Sequence, residues 1–283
     1  KDLQVRLVAF TKLASLPKSD DHKKTASLLM QQPENAKDEL PRAVQTARDH
    51  GLEIMMLTTG ITTPDRHAEE ILATCQQHGI QRIKIGYFGI GNFGQLSKRL
   101  DNVRRELDAV AKLAAKYDVL PCVHVHSGST IPSNGFMLHS LIREIPPDRI
   151  GAYLDSYHMT ITGGAGGWRQ AIDLLAPWIS LVALKNFQWE STDRDETGQQ
   201  RWRTNYCRLE DGVAPIPDFV STIHQAGYRG FYTLHTEYRL PGAARLPFHA
   251  IPQYGEVLSL ACVPLDGALC ATMRDGQKRE GHH

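Results

Sequence analysis

The chain has 283 residues, of which 41% are hydrophobic and 22% charged, and a formal net charge of +1. It is long enough to bury a sizeable core, and its composition is that of a globular protein. The balanced charge, with no dense lysine–arginine block, speaks against a nucleic-acid or anionic-membrane partner. No apolar run approaches the roughly 20 residues that span a bilayer.

Five scattered cysteines (Cys75, Cys122, Cys207, Cys262 and Cys270) form no CxxC pair and read as free thiols. The chain opens on Lys1, which is compatible with a cleaved signal peptide, with a cytoplasmic location as the default. Leu3–Phe10 reads as a strand, and residues 11–35 as a long loop. Residues 39–50 read as a helix with Leu40, Val44 and Ala47 on one face and Gly51 as its C-cap.

A strand–helix alternation then sets in. Strands are expected over Leu52–Thr58, Ile80–Phe88, Val119–His126, Arg149–Tyr157, Ile179–Phe187 and Gly230–Leu234. The helices between them are expected over Pro64–His78, Gln95–Tyr117, Gly135–Glu144, Trp168–Leu175 and Pro217–Ala226. The Gln95–Tyr117 helix has the clearest period, with Leu96, Leu100, Val103, Leu107, Val110 and Leu113 at three- and four-residue spacing. Residues 188–213 read as a long polar excursion. Seven strands separated by helices, with no flexible linker, predict one α/β domain over residues 1–246. Polar residues after successive strands favour a (β/α)8 TIM barrel whose first βα unit is missing from this chain. Residues 247–283 have no clear period, and the closing Gly281-His-His283 resembles a tag remnant. An open edge beside Leu3–Phe10 would need a cover, and a homo-oligomer is compatible with the chain.

In such a barrel the site lies at the C-terminal strand ends. Those ends offer Arg6, Thr58 and Thr59, Lys84 and Tyr87, His124 and His126, Asp155 with His158, Lys185 and Asn186, and His235 with Glu237. Alternate strand residues share a face, so His124 and His126 point the same way, as do His235 and Glu237. His124, Asp155 and Glu237 read as a divalent metal site suited to manganese, cobalt, iron or zinc, and magnesium less well. The competing reading makes each a capped or ion-paired loop residue. Lys185 reads as a cation for a substrate oxygen or, alternatively, as a lysine snorkelling from a strand end. The Gly163–Gly167 cluster lacks the residues of a P-loop and reads as a turn. Trp189, Trp202 and Tyr206 form either a sugar-stacking lid or the packing of the excursion. His-Ser127-Gly is not a nucleophile elbow.

The order of these motifs resembles the xylose-isomerase-like TIM barrels, the sugar phosphate isomerase/epimerase superfamily. Asp155-Ser-Tyr-His158 is similar to the Asp-x-x-His after that family's sixth strand, and Glu237 to the glutamate ending its eighth. His124-Val-His126-Ser-Gly128 stands at the fifth-strand Glu-Asn-His segment, and Ala183-Leu-Lys185-Asn186 at the seventh-strand His-x-Lys-Asp. The resemblance implies a sugar isomerase or epimerase that moves a proton next to a carbonyl with help from a divalent metal. It makes Glu237 a ligand and acid/base, Asp155 a ligand and His158 a substrate contact. His124 or Lys185 would join the chemistry, with His126, Arg6, His235 and Trp189 around the carbohydrate. Two positions depart from the pattern: His124 replaces the fifth-strand glutamate, and Ala183 the seventh-strand metal histidine. A sugar-acid lyase or dehydratase, and a non-catalytic carbohydrate-binding barrel, are the competing expectations.

Overall fold

A computed structural model describes residues 54–235, together with positions 40, 41, 44, 45 and 48, which are helical. The expected strand at Leu3–Phe10, the loop after it, Arg6, Glu237 and the segment after residue 247 lie outside the described residues.

Six parallel strands form one sheet: β1 (Leu57–Thr58), β2 (Arg82–Lys84), β4 (Leu120–His124), β6 (Gly151–Asp155), β7 (Ile179–Leu184) and β10 (Tyr232–Leu234). They lie side by side in chain order. Such an order arises when each strand is followed by a helix that returns the chain to the same edge, and it is the order of a barrel wall. Helices α1 (Arg66–His78), α2 (Leu96–Ala114), α3 (Gly135–Ile142), α4 (Ser156–Gly163), α5 (Gly167–Leu175) and α6 (Ile216–Gln225) fill the connections. Two short strands, β3 (Phe88–Gly89) and β5 (Thr130–Ile131), pair antiparallel beside the main sheet.

The helices begin and end where their chemistry directs. The Asp65 carboxylate accepts the Ala68 N–H at the start of α1, and Gly79 closes it at φ 75°. Its buried Ala68, Ile71, Leu72 and Cys75 follow the helical period. Asn134 caps α3 by accepting the Met137 N–H.

The strands sort their side chains onto two faces by strict alternation. Leu57, Ile83, Val123, Ala152, Leu154, Val182, Leu184 and Tyr232 join the helices in the main apolar core. The opposite face carries a second small cluster of Met56, Cys122, Tyr153, Leu181 and Ala183. Continuing two residues along the same face gives Thr58 from Met56, His124 from Cys122, Asp155 from Tyr153 and Lys185 from Ala183. The apolar inner layer therefore becomes polar at the C-terminal rim. Between β6 and its neighbours the strands approach closely at Gly151, where an added Cβ would lie 2.6 Å from Ser180 Oγ and 2.9 Å from Cys122 Sγ.

Two expected elements differ. The strand expected to run to Tyr157 stops at Asp155, whose side chain caps α4 and turns Ser156–Gly163 into a helix. The polar excursion is a two-stranded antiparallel hairpin, β8 (Asn186–Arg194) and β9 (Gln200–Cys207). Its charged residues face water on both sides, so no apolar alternation advertises it. Asn186 anchors its base: Nδ2 donates to Leu209 O (2.6 Å) and Ala214 O (2.9 Å), and Oδ1 accepts the Ala214 N–H (2.8 Å).

Candidate active site

Asp155 is the centre of the polar rim and is fully buried. Its Oδ1 accepts the His158 N–H at 3.0 Å, the capping bond of α4. Its Oδ2 lies 3.2 Å from His124 Nε2 and 3.4 Å from Lys185 Nζ. Burial opposes ionisation, but His158, the His124 hydrogen bond and the Lys185 charge outweigh it and hold the carboxyl below the usual range.

His124 leaves the end of β4 with both ring nitrogens engaged. Burial depresses its pKa to about 4 against the opposing pull of Asp155, so the imidazole is neutral at pH 7. With Nε2 donating to the ionised Asp155, Nδ1 is the acceptor for the Tyr87 hydroxyl 3.1 Å away. The result is a Tyr87–His124–Asp155 chain in which the carboxylate sets the tautomer of the imidazole.

His158 sits in the first turn of α4. Ser127 donates its backbone N–H to Nδ1 (3.1 Å), Ser127 Oγ is 2.8 Å from the same atom, and Lys185 Nζ is 2.9 Å from Nε2. Burial, first, then Lys185 and the neighbouring histidines keep this ring neutral as well, over the opposing Asp155 charge. His126 stacks on His158 at 4.0 Å between centroids, and burial and Lys185 lower its pKa.

The remaining expected residues take distinct places. Lys185 follows β7, buried beneath the hairpin, with the Tyr157 and Tyr206 rings 5.2 Å and 5.7 Å from its Nζ. Tyr157 ties the hairpin down through Thr204 Oγ1 at 2.8 Å. His235 follows β10, with Nε2 3.0 Å from the Tyr153 hydroxyl. The Tyr153 ring in turn lies 4.5 Å from that of His124. Trp189 is on β8, 50% exposed and edge-on to Phe187. His124, His126, Asp155, His158, Lys185 and His235 are thus gathered on one rim, and Trp189 stands on the hairpin beside it.

Sequence reasoning passed over one participant, Tyr153, and gave no role to two others that it placed at strand ends, Tyr87 and Lys84. Tyr153 precedes Asp155 by two residues and so shares its face, which alternation alone reveals. Tyr87 lies beyond the end of β2, where only the tertiary fold brings it to His124. Lys84 closes β2, which reads Arg82-Ile83-Lys84.

The described residues were expected to supply two metal ligands, His124 and Asp155. Both Asp155 oxygens are already engaged, one by the helix cap and the other by His124 and Lys185, whose positive charge occupies the place of a cation. Among the described residues no three His, Cys, Asp or Glu side chains gather as metal ligands. Two of the three expected ligands, His124 and Asp155, are within hydrogen-bond distance of each other, and Glu237, the expected third, lies outside the described residues.

The family model of the xylose isomerase-like TIM barrels matches residues 22–250. The chain belongs to that family. No curated protein sequence is significantly similar to it. Among solved structures, the 3-keto-D-glucoside 4-epimerase of E. coli is 14% identical, with a TM-score of 0.56 over 81% of this chain and 87% of that one. An L-ribulose 3-epimerase is 14% identical, with a TM-score of 0.55 over 86% and 83%. A xylose isomerase-like TIM barrel protein from Mycobacterium smegmatis, in complex with magnesium, is 14% identical, with a TM-score of 0.52 over 89% and 81%. At these identities the likeness is one of fold. Within it, the expected TIM barrel is the fold of this chain, and the six described parallel strands are part of its wall. Among the described residues no helix is long and apolar enough to cross a membrane.

Proposed function

We propose that the chain is an isomerase or epimerase of a small sugar or sugar derivative, moving a proton at the carbon next to a carbonyl. The observation that carries the proposal is the buried cluster at the C-terminal rim: a neutral His124 oriented by an ionised Asp155, with Lys185 Nζ on the same carboxylate. Two sugar epimerases among the structural neighbours support it.

The chemistry needs a base that is unprotonated at neutral pH and a positive charge where the enolate oxygen develops. His124 is the base, directly or through the Tyr87 hydroxyl bonded to its Nδ1, and Asp155 stabilises the imidazolium that forms. Lys185 supplies the positive charge for the enolate oxygen. His158 lies between Ser127, whose N–H its Nδ1 accepts, and Lys185 Nζ. Glu237 returns or removes the proton on the opposite face, and His126, His235, Arg6 and Trp189 border the sugar. No step requires a metal ion.

The test is incubation with a panel of ketoses in deuterated water, followed by NMR. Deuterium is expected at the carbon beside the carbonyl, and His124→Asn should slow its entry by about a hundredfold or more. Absence of label across the panel refutes the reaction class.

A further inference from the structure

Lys84 is the residue of this rim that the scheme above does not use. It ends β2 on the same face as the site, since it lies two residues from Arg82, whose guanidinium stacks on the inward Phe231. Lys84 is only 5% exposed. Its Nζ rests 3.5 Å from the centroid of the Tyr87 ring, whose hydroxyl bonds His124. Its charge is felt at both His124 and His126, which places it at the polar rim rather than behind it.

Among the described residues Lys84 Nζ rests on the Tyr87 π-face and forms no ion pair with a carboxylate. A buried cation without a counter-ion is costly, and burial accordingly lowers its pKa to about 8, which still leaves it mostly protonated at pH 7. Among the described residues, Lys84 and Lys185 are the buried lysines and Asp155 the buried carboxylate, and it is Lys185 that meets it. A ring face offsets part of that cost but neutralises none of it.

We propose that Lys84 is the anion-binding residue of the site and selects substrates bearing a carboxylate or a phosphate over their neutral parents. The proposal rests on the reading of this rim as a sugar site and assigns the substrate's charge. The unpaired ammonium and the substrate anion complete each other when the sugar enters, and the Tyr87 ring holds the lysine stem in place while the pocket is empty of that anion. Lys185 keeps its own carboxylate partner, so the two lysines are not interchangeable.

The test is calorimetric titration of the full chain with a ketopentose, its 5-phosphate and the corresponding aldonate, at low and physiological salt. One anionic form is expected to bind roughly tenfold or more tightly than the neutral sugar, as a charge-assisted hydrogen bond provides. Whichever form does so identifies phosphate or carboxylate as the group. Lys84→Met should abolish the preference, Lys84→Arg should retain part of it, and the exposed Lys112→Met should retain all of it. Equal wild-type affinity for charged and neutral forms overturns the proposal without any variant. A preference that survives in folded Lys84→Met, judged by circular dichroism, overturns it as well. The exchange assay separates the two readings: tight anion binding without exchange refutes the reaction and leaves Lys84, and exchange without anion preference does the reverse.

Discussion

Replacing Lys185 by methionine tests the electrostatic logic of the rim most directly. The substitution keeps an unbranched side chain of similar length and removes one ammonium. Asp155 is fully buried, and the lost Nζ is 3.4 Å from its Oδ2 and 2.9 Å from His158 Nε2. The carboxylate would retain the His124 N–H and the helix N–H, and lose the Lys185 ammonium. Removing one partner of a buried ion pair costs about 3–5 kcal/mol, because the other charge stays desolvated. At roughly 2–4 °C per kcal/mol for a chain of this class, the melting temperature should fall by about 10 °C. Adding Asp155→Asn should recover part of the loss, since asparagine still caps α4 and carries no charge to strand. Urea unfolding followed by tryptophan fluorescence on the four proteins of the cycle gives the coupling energy, expected at about 1–3 kcal/mol. A loss below about 1 kcal/mol with no coupling would mean that Lys185 reaches water and that the ion pair does not organise the rim.

Acid should weaken the fold in the range set by the neutral histidines. His124, His126 and His158 all have folded pKa values below the usual 6.5, so the unfolded chain takes up more protons as pH falls from about 6.5 toward 4. The histidines' contribution is therefore complete above pH 6.5 and declines below it by up to about 1.4 kcal/mol per pH unit for each of the buried His124 and His158, and by less for the partly exposed His126. Asp155 extends the decline below its ordinary pKa of 3.8, and urea midpoints across pH 4–8 check the direction. Gly151→Ala should destabilise by about 1–3 kcal/mol through the contacts with Ser180 and Cys122, measured by the same unfolding curve. Asn186→Ala should cost on the order of 3 kcal/mol, since four backbone groups at the hairpin base, those of Phe187, Leu209 and Ala214, lose their partner, and should raise amide exchange in β8 and β9. If Lys185 rather than a metal ion neutralises Asp155, elemental analysis of the purified protein should find well under one divalent ion per chain and activity should survive a chelator; a stoichiometric, chelator-sensitive ion would refute that role of Lys185.

The alternation of apolar strands and amphipathic helices determined the barrel class, because periods of 2 and 3.6 are local properties of the chain. The same alternation put His124, Asp155, Lys185 and His235 at strand ends, where the site of such a barrel lies. It did not show that β8 and β9 form a hairpin, since a solvated pair of strands needs no apolar face. Nor did it show that Asp155 ends its strand early, because a carboxylate becomes a helix cap only when the chain turns beside it. The partners of the rim were equally out of reach of the sequence. Tyr87 and His124 are 37 positions apart and Asp155 and Lys185 are 30, and whether a lysine or a metal ion meets a carboxylate depends on distances that only the folded barrel sets. The sequence determined which chemistry was available at the rim; the tertiary structure decided which groups meet there, Lys185 on Asp155 and Lys84 on the Tyr87 ring.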